Sequence, residues 1–305
     1  MILITAKVHD ILRETLQASG FAVHYAPDIS YDEVRSLMPQ VTGLVVTTRL
    51  KIDRNLIDQG PQLKWIGRLG SGLELIDTAY ARERNILCVS SPEGNRNAVA
   101  EHALGMLLNL LNNISRSFEE VKHLQWLRNE NRGTELSGKT IGLVGYGNTG
   151  GAFAKLLQPF GGTILAYDKY KTGFGDQTIR EANFEQVCKY ADVISFHVPL
   201  TDETRYMAGE EFFALLKRRP WILNTSRGAV VKTSALIAAI NEDKVAGAGL
   251  DVLENEKLDN LTESQRSELE QLVAMDNVLL TPHIAGYTHE AFYKMSKVLL
   301  EKLGI

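Results

Sequence analysis

Residues 140–151 read TIGLVGYGNTGG. An apolar run, Ile141–Val144, leads into Gly145-Tyr146-Gly147-Asn148-Thr149-Gly150, and a helical pattern opens at Ala152. The spacing GxGxxG is weak evidence alone but specific between a strand and a helix. Gly145 permits the tight turn. Gly147 lets the main chain approach a pyrophosphate with no Cβ in the way, and Gly150 allows close helix–strand packing. The helix N-terminus presents free amides and a positive dipole end to phosphates. Asp168 stands 18 residues past Gly150, at the end of the next apolar run. It is placed to accept hydrogen bonds from ribose hydroxyls, and its charge repels a 2′-phosphate. This predicts NAD in preference to NADP, a preference softened by Lys169 and Lys171 nearby.

Outward from this loop, short β-branched runs alternate with amphipathic segments. Downstream strands are expected at 140–144, 163–167, 193–198, 221–225, 247–252 and 278–281. Upstream ones are expected at 2–5, 22–25, 44–48, 65–69 and 86–89. Helical patterns cover 10–18 and 32–37, and alternation of this kind implies parallel sheet, whose neighbours need crossover connections. The runs are apolar on both faces, as a sheet covered by helices requires. The fold class is therefore α/β, with two doubly wound sheets. Between the two sets, 98–117 reads as one long helix, with Val99, Ala103, Met106, Leu107, Leu110, Leu111 and Ile114 at helical spacing. The stretch 129–138 reads as a loop, and 254–270 as an acidic loop entering a helix. A last helix covers 289–303, and periodicity does not say which sheet it covers.

The length of 305 residues suits about two domains, and 44% hydrophobic with 23% charged residues is ordinary for a globular chain. A net charge of −4 lacks the basic footprint of a nucleic-acid binder. No basic leader precedes a long apolar stretch, and no run approaches the ~20 apolar residues of a membrane span. A cytoplasmic protein without nucleic-acid or membrane partners is expected. Cys88 and Cys188 form no CxxC pair and no metal-ligand spacing, so they are expected as two buried thiols in a reducing compartment, with no metal.

Charged and titratable residues follow consecutive downstream strands: Arg227 in NTSRG (224–228), Asp251 and Glu256 in GLDVLENE (249–256), and His283 in TPHIAG (281–286). Ligands of a parallel sheet bind at the carboxyl ends of its strands, so these residues belong at the edge that carries the glycine loop. Hydride transfer between a nicotinamide and a carbinol carbon requires a proton to move at oxygen. His283 has the right intrinsic pKa for that role, near 6.5. Glu256 is suited to orient the imidazole, Arg227 to fork a substrate carboxylate, and Asp251 to receive the nicotinamide carboxamide.

Taken together, GYGNTG (145–150), Asp168, HVPLTDET (197–204), NTSRG, GLDVLENE and TPHIAG resemble the D-isomer-specific 2-hydroxyacid dehydrogenase family, as do NAVAEHALGMLL (97–108) and ELSGKT (135–140). The resemblance implies an arginine–glutamate–histidine triad, carried over to Arg227, Glu256 and His283. It implies cofactor contacts from Gly145 to Gly150, Asp168, His197, Val198, Pro199, Thr204, Thr225, Ser226, Asp251, His283 and Gly286. It also implies a Rossmann NAD-binding domain, 98–287, inserted into a flavodoxin-like substrate-binding domain of 1–97 plus 288–305, with hinges near Ala98 and His289. A homodimer through the cofactor domain and its long helix is implied as well.

For the substrate, the resemblance implies Ser71 and Gly72 in the loop that takes the carboxylate, with Arg49, Asn95, Arg227 and His283. A plain turn at 70–72, a surface charge at Arg49 and a helix cap at Asn95 are the alternatives. Trp126 and Leu127 are read either as a pocket wall lent to a partner subunit or as an interface anchor.

Glu74-Leu75 replaces the family's usual Asp-Asn, and the proline that often follows the catalytic glutamate is absent. An end at Ile305 carries the expectation of no appended regulatory domain. The expected activity is NAD-dependent interconversion of a 2-hydroxy and a 2-keto acid, with 3-phosphoglycerate, hydroxypyruvate, glyoxylate and D-lactate-like acids as candidates. Arg49 favours the phosphorylated acid. A non-catalytic NAD-sensing, corepressor-like protein is the alternative.

Overall fold

The computed structural model describes residues 1–305, which divide into two compact units: Met1–Arg96 with Gly286–Ile305, and Asn97–Ala285. In the first, strands β1 (Ile2–Ile4), β2 (Val23–Tyr25), β3 (Gly43–Val46), β4 (Trp65–Arg68) and β5 (Leu87–Ser90) form a wholly parallel sheet in the order β2-β1-β3-β4-β5. This is the flavodoxin-like order. Helices α1 (Asp10–Ala18), α2 (Tyr31–Leu37), α3 (Arg54–Asp58) and α4 (Thr78–Glu83) make the connections. Their starts follow local chemistry: Ser30 and Glu33 form a capping box on α2, and Asp53 and Asp77 cap α3 and α4 through Leu56 N and Tyr80 N.

The second unit opens in helix α5 (Pro92–Leu111), followed by α6 (Ile114–Lys122). The single helix expected over 98–117 is thus two, and the first starts earlier. Pro92 takes the first helical position, where its missing N–H costs nothing. The break falls at Asn113, whose backbone is left-handed at φ 53°. There the Asn109 amide binds both the amide and the hydroxyl of Ser115, at 2.9 and 2.6 Å, and so competes with continued helix.

The remaining elements are β6 (Thr140–Val144), α7 (Asn148–Leu157), β7 (Thr163–Tyr167), β8 (Ile179–Glu181), α8 (Phe184–Tyr190), β9 (Val193–Phe196), α9 (Glu210–Leu215), β10 (Trp221–Asn224), α10 (Thr233–Asn241), β11 (Gly247–Leu250), α11 (Glu263–Ala274) and β12 (Val278–Leu280). The sheet is parallel throughout, in the order β12-β11-β10-β9-β6-β7-β8. Counted from β6, that is the Rossmann order 3-2-1-4-5-6 with a seventh strand added. The edge strand β8, third in that order, escapes a sequence reading because only Ile179 of its three residues is buried. On one face Val187, Phe196, Phe212, Leu236 and Leu250 form the core, and on the other Leu107, Leu143, Phe153, Leu157 and Ile164.

Helix α12 (His289–Leu303) returns to the first unit. Leu299 sits over Gly67 of β4, and Lys302 reaches the Glu93 carboxylate at 2.8 Å. Both cysteines are free. Cys188 is buried and its thiol is pushed up to about 11 by desolvation, whereas Cys88, in the edge strand β5, is only half-buried. No helix is long and apolar enough to cross a membrane.

Candidate active site

Gly145 follows β6 at φ 98°, a conformation that favours glycine, and a Cβ there would meet the His197 carbonyl at 2.4 Å. A Cβ on Gly150 would meet the Gly145 carbonyl oxygen at 2.1 Å, so helix α7 can start against the turn only with glycine there. Gly147, the residue before α7, faces open space and offers no side-chain cap. The first amides of that ten-residue helix, from Asn148, Thr149 and Gly150, are therefore left without a side-chain acceptor.

Asp168 follows β7. Its Oδ2 accepts from Tyr146 N at 2.9 Å, and its Oδ1 from Tyr170 N and Lys171 N at 3.0 and 3.1 Å. Lys171 Nζ donates to the Tyr146 carbonyl at 3.1 Å, so the loop after β7 is tied to the glycine turn.

After β9, the ring of His197 is enclosed. Its Nε2 lies 2.9 Å from Ser195 Oγ, its Nδ1 has no partner, and burial pushes its pKa down to about 4, so it is neutral at physiological pH. Val198 is half-buried and Pro199 exposed. Thr204 fastens its own loop by donating to the Pro199 carbonyl at 2.6 Å and accepting from Thr201 N. Thr225 Oγ1, after β10, is a second buried polar atom without a partner. Two orphaned polar atoms at the carboxyl edge, an open glycine and an uncapped helix start all fit a dinucleotide lying across that edge.

The strands β10, β11 and β12 are parallel neighbours, so the loops that follow them share one edge. Asn224, fully buried, organises the first of these loops. Its Oδ1 accepts from Ser226 N and Ser226 Oγ, and its Nδ2 donates to the Arg227 carbonyl at 2.9 Å. The Arg227 guanidinium donates to the Ser226 carbonyl at 2.7 Å.

After β11, Asp251 is 1% exposed. Its Oδ1 accepts from Thr281 Oγ1 at 2.6 Å and Ile284 N at 2.9 Å, its Oδ2 from Ala285 N at 2.8 Å, and its carbonyl from His283 N at 2.8 Å. Glu254 anchors the rest of the loop, accepting from Thr233 N and Tyr206 Oη, both at 2.7 Å. His283 Nδ1 and Glu256 Oε2 are 2.9 Å apart, with both side chains partly in solvent. A carboxylate only accepts, so Nδ1 carries the proton and Nε2 is left as the exchanging nitrogen. The backbone of His283 is left-handed at φ 55°, a strained state held by the Asp251 bonds.

In the first unit, the loops after β1, β3, β4 and β5 likewise share one edge. Arg49 is exposed, and its Nη2 donates to the Thr5 carbonyl at 2.8 Å. Ser71 Oγ donates to Asn95 Oδ1 at 3.3 Å, and Gly72 is half-buried beside it. Asn95 lies inside the first turn of α5 rather than capping it. Gly286 begins the returning segment of the first unit. The roles of Asn224 and Glu254 were missed in the sequence. An asparagine ending a strand ahead of Ser-Arg-Gly was the available signal for the first.

Residues 104–285 match the family model for "D-isomer specific 2-hydroxyacid dehydrogenase, NAD binding domain". The chain is 37% identical over 273 residues to the hydroxypyruvate reductase of Thermotoga maritima, covering 89% of this chain and 87% of that one. It is 33% identical over 308 residues to the D-3-phosphoglycerate dehydrogenase of Methanocaldococcus jannaschii, covering 99% of this chain but 56% of that one, so it spans little more than half of that relative's length. Among solved structures, the Aquifex aeolicus D-lactate dehydrogenase complexed with NAD and lactic acid is similar, with a TM-score of 0.86 and 28% identity over 100% of this chain and 94% of that one. The glycine loop, the unpartnered polar atoms at the carboxyl edge and the match across both units lead to one conclusion: the chain belongs to the D-isomer specific 2-hydroxyacid dehydrogenase family, NAD-dependent oxidoreductases acting on a CH–OH group.

Proposed function

We propose that the protein interconverts a D-2-hydroxy acid and its 2-keto acid through His283, Glu256 and Arg227. The observation that carries this reading is the 2.9 Å His283–Glu256 contact on a turn anchored by Asp251. Bound NADH supplies the hydride. His283 Nε2 gives the proton to the substrate oxygen in reduction and takes it back in oxidation. Glu256 accepts from Nδ1 and so fixes the tautomer and the ring orientation. Arg227 forks the substrate carboxylate. Gly145–Gly150, Asp168, His197–Pro199, Thr204, Thr225, Ser226, Asp251 and Gly286 are the proposed cofactor contacts. The unit 97–285 is the proposed cofactor domain, and 1–96 with 286–305 the proposed substrate domain.

For the substrate we favour the phosphorylated acid, 3-phosphoglycerate and its keto form. Arg49 is a cation held in place by Thr5 at the same strand edge as Ser71, Gly72 and Asn95, the proposed carboxylate anchor. The 37% identity to a hydroxypyruvate reductase supports the unphosphorylated acid as second reading. A panel of 2-keto acids with and without phosphate, each run with NADH and NADPH, decides between them. Preference for the phosphorylated acid, reduced in Arg49→Ala, is the expected outcome, and equal kcat/KM for both acids would exclude it. In the same assay Asp168→Ala should narrow the NADH preference, and an unaltered ratio would remove Asp168 from cofactor choice.

A reducing cytoplasm and a homodimer complete the proposal. Exposed Ile114, Phe118 and Val121 form an apolar row on α6, continued by Leu124, Trp126 and Leu127. Sedimentation at the monomer mass would exclude the dimer.

A further inference from the structure

His102 lies in α5, 179 residues before Thr281, yet its Nε2 lies 3.0 Å from the Thr281 hydroxyl and 3.6 Å from Asp251 Oδ1. The direction of each bond is determined. Thr281 Oγ1 is 2.6 Å from the Asp251 carboxylate, which only accepts, so the single hydroxyl proton goes there. The hydroxyl's lone pair must then accept, and the donor is His102 Nε2–H. That nitrogen carries a proton in the neutral ε-tautomer and in the imidazolium alike, so the contact survives either charge state. One turn along α5, Met106 Sδ lies 3.9 Å from the same hydroxyl and closes its other side.

The line from His102 through Thr281 ends on the carboxylate that holds the 281–285 turn. Asp251 binds Ile284 N and Ala285 N with its side chain and His283 N with its carbonyl, so it grips the turn on both sides of the His283 ring. His283 is held at φ 55°, and such a backbone persists only where its surroundings over-determine it. A buried carboxylate orients by its donors. With the Thr281 hydroxyl released from His102, the donor to Oδ1 is no longer held on its far side and can rotate, so the carboxylate and the turn lose a constraint that helps aim the imidazole.

We propose that His102 is a positioning residue for the reaction: it sets the Thr281 hydroxyl, which sets Asp251, which aims His283. This rests on His283 being the acid–base group. The test compares His102→Leu, which removes the donor, with His102→Gln, whose terminal amide keeps one at similar reach. The expected result for His102→Leu is a roughly tenfold drop in kcat for keto-acid reduction, the size of one lost hydrogen bond, with KM for NADH and the melting temperature little changed. His102→Gln should recover most of the loss. Full kcat in His102→Leu, equal loss in both variants, or a loss that tracks the melting temperature would each overturn the proposal. His283→Ala is measured alongside. If it loses turnover while His102→Leu does not, this inference alone fails. If it keeps turnover, the acid–base assignment fails and the inference falls with it.

Discussion

Replacing His283 with alanine is expected to lower turnover by about 10³-fold, within the range general acid–base groups contribute, while NADH still binds. The reduced substrate oxygen must acquire a proton, and without the imidazole it has only water to draw on. The cofactor contacts proposed on the glycine turn and the loops after β7 and β9 do not involve this ring, so fluorescence titration with NADH should give a Kd within a few-fold of the parent. Because His283 sits in a left-handed backbone, His283→Asn is the companion variant, since asparagine adopts that conformation readily and carries no titrating nitrogen. Equal loss in both separates lost chemistry from a collapsed turn. Turnover unchanged in either would remove His283 from the mechanism.

Arg227→Ala is the second large effect, an expected fall in kcat/KM for the keto acid of about 10²–10³-fold, or ~3–4 kcal/mol, as when one partner of a hydrogen-bonded charge pair is truncated. Arg227→Lys keeps the charge but not the planar fork and should recover only part of it. Asn224 holds this turn through the Arg227 carbonyl rather than its side chain, so the loop should keep its shape in both variants. Unaltered kcat and KM in Arg227→Ala would refute its role as the carboxylate clamp.

Much of the fold was legible. The β-branched runs coincide with β1, β6 and β10 to within a residue, because a strand buried on both faces leaves an uninterrupted apolar signal. The failures have local causes. Strand β8 is a three-residue edge with two exposed side chains. The break between α5 and α6 is set by Asn109 and Asn113, whose side-chain and left-handed preferences do not register in hydrophobic spacing. Cys88 was expected to be buried, but an edge strand leaves it partly open.

The site divides the same way. By itself the sequence determined the glycine turn, Asp168 after the second strand of its sheet, and the residue types Arg227, Glu256 and His283 behind successive strands, because these follow from the periodicity of one chain segment and the parallel rule. Only the tertiary structure decided that His102 meets Thr281 and that Asp251 is enclosed by the turn bearing His283. An amphipathic pattern states which face of a helix is buried but not against what. A hydrogen bond between residues far apart in sequence leaves no mark on either neighbourhood, so partners of that kind are fixed only when the packed sheets bring them together.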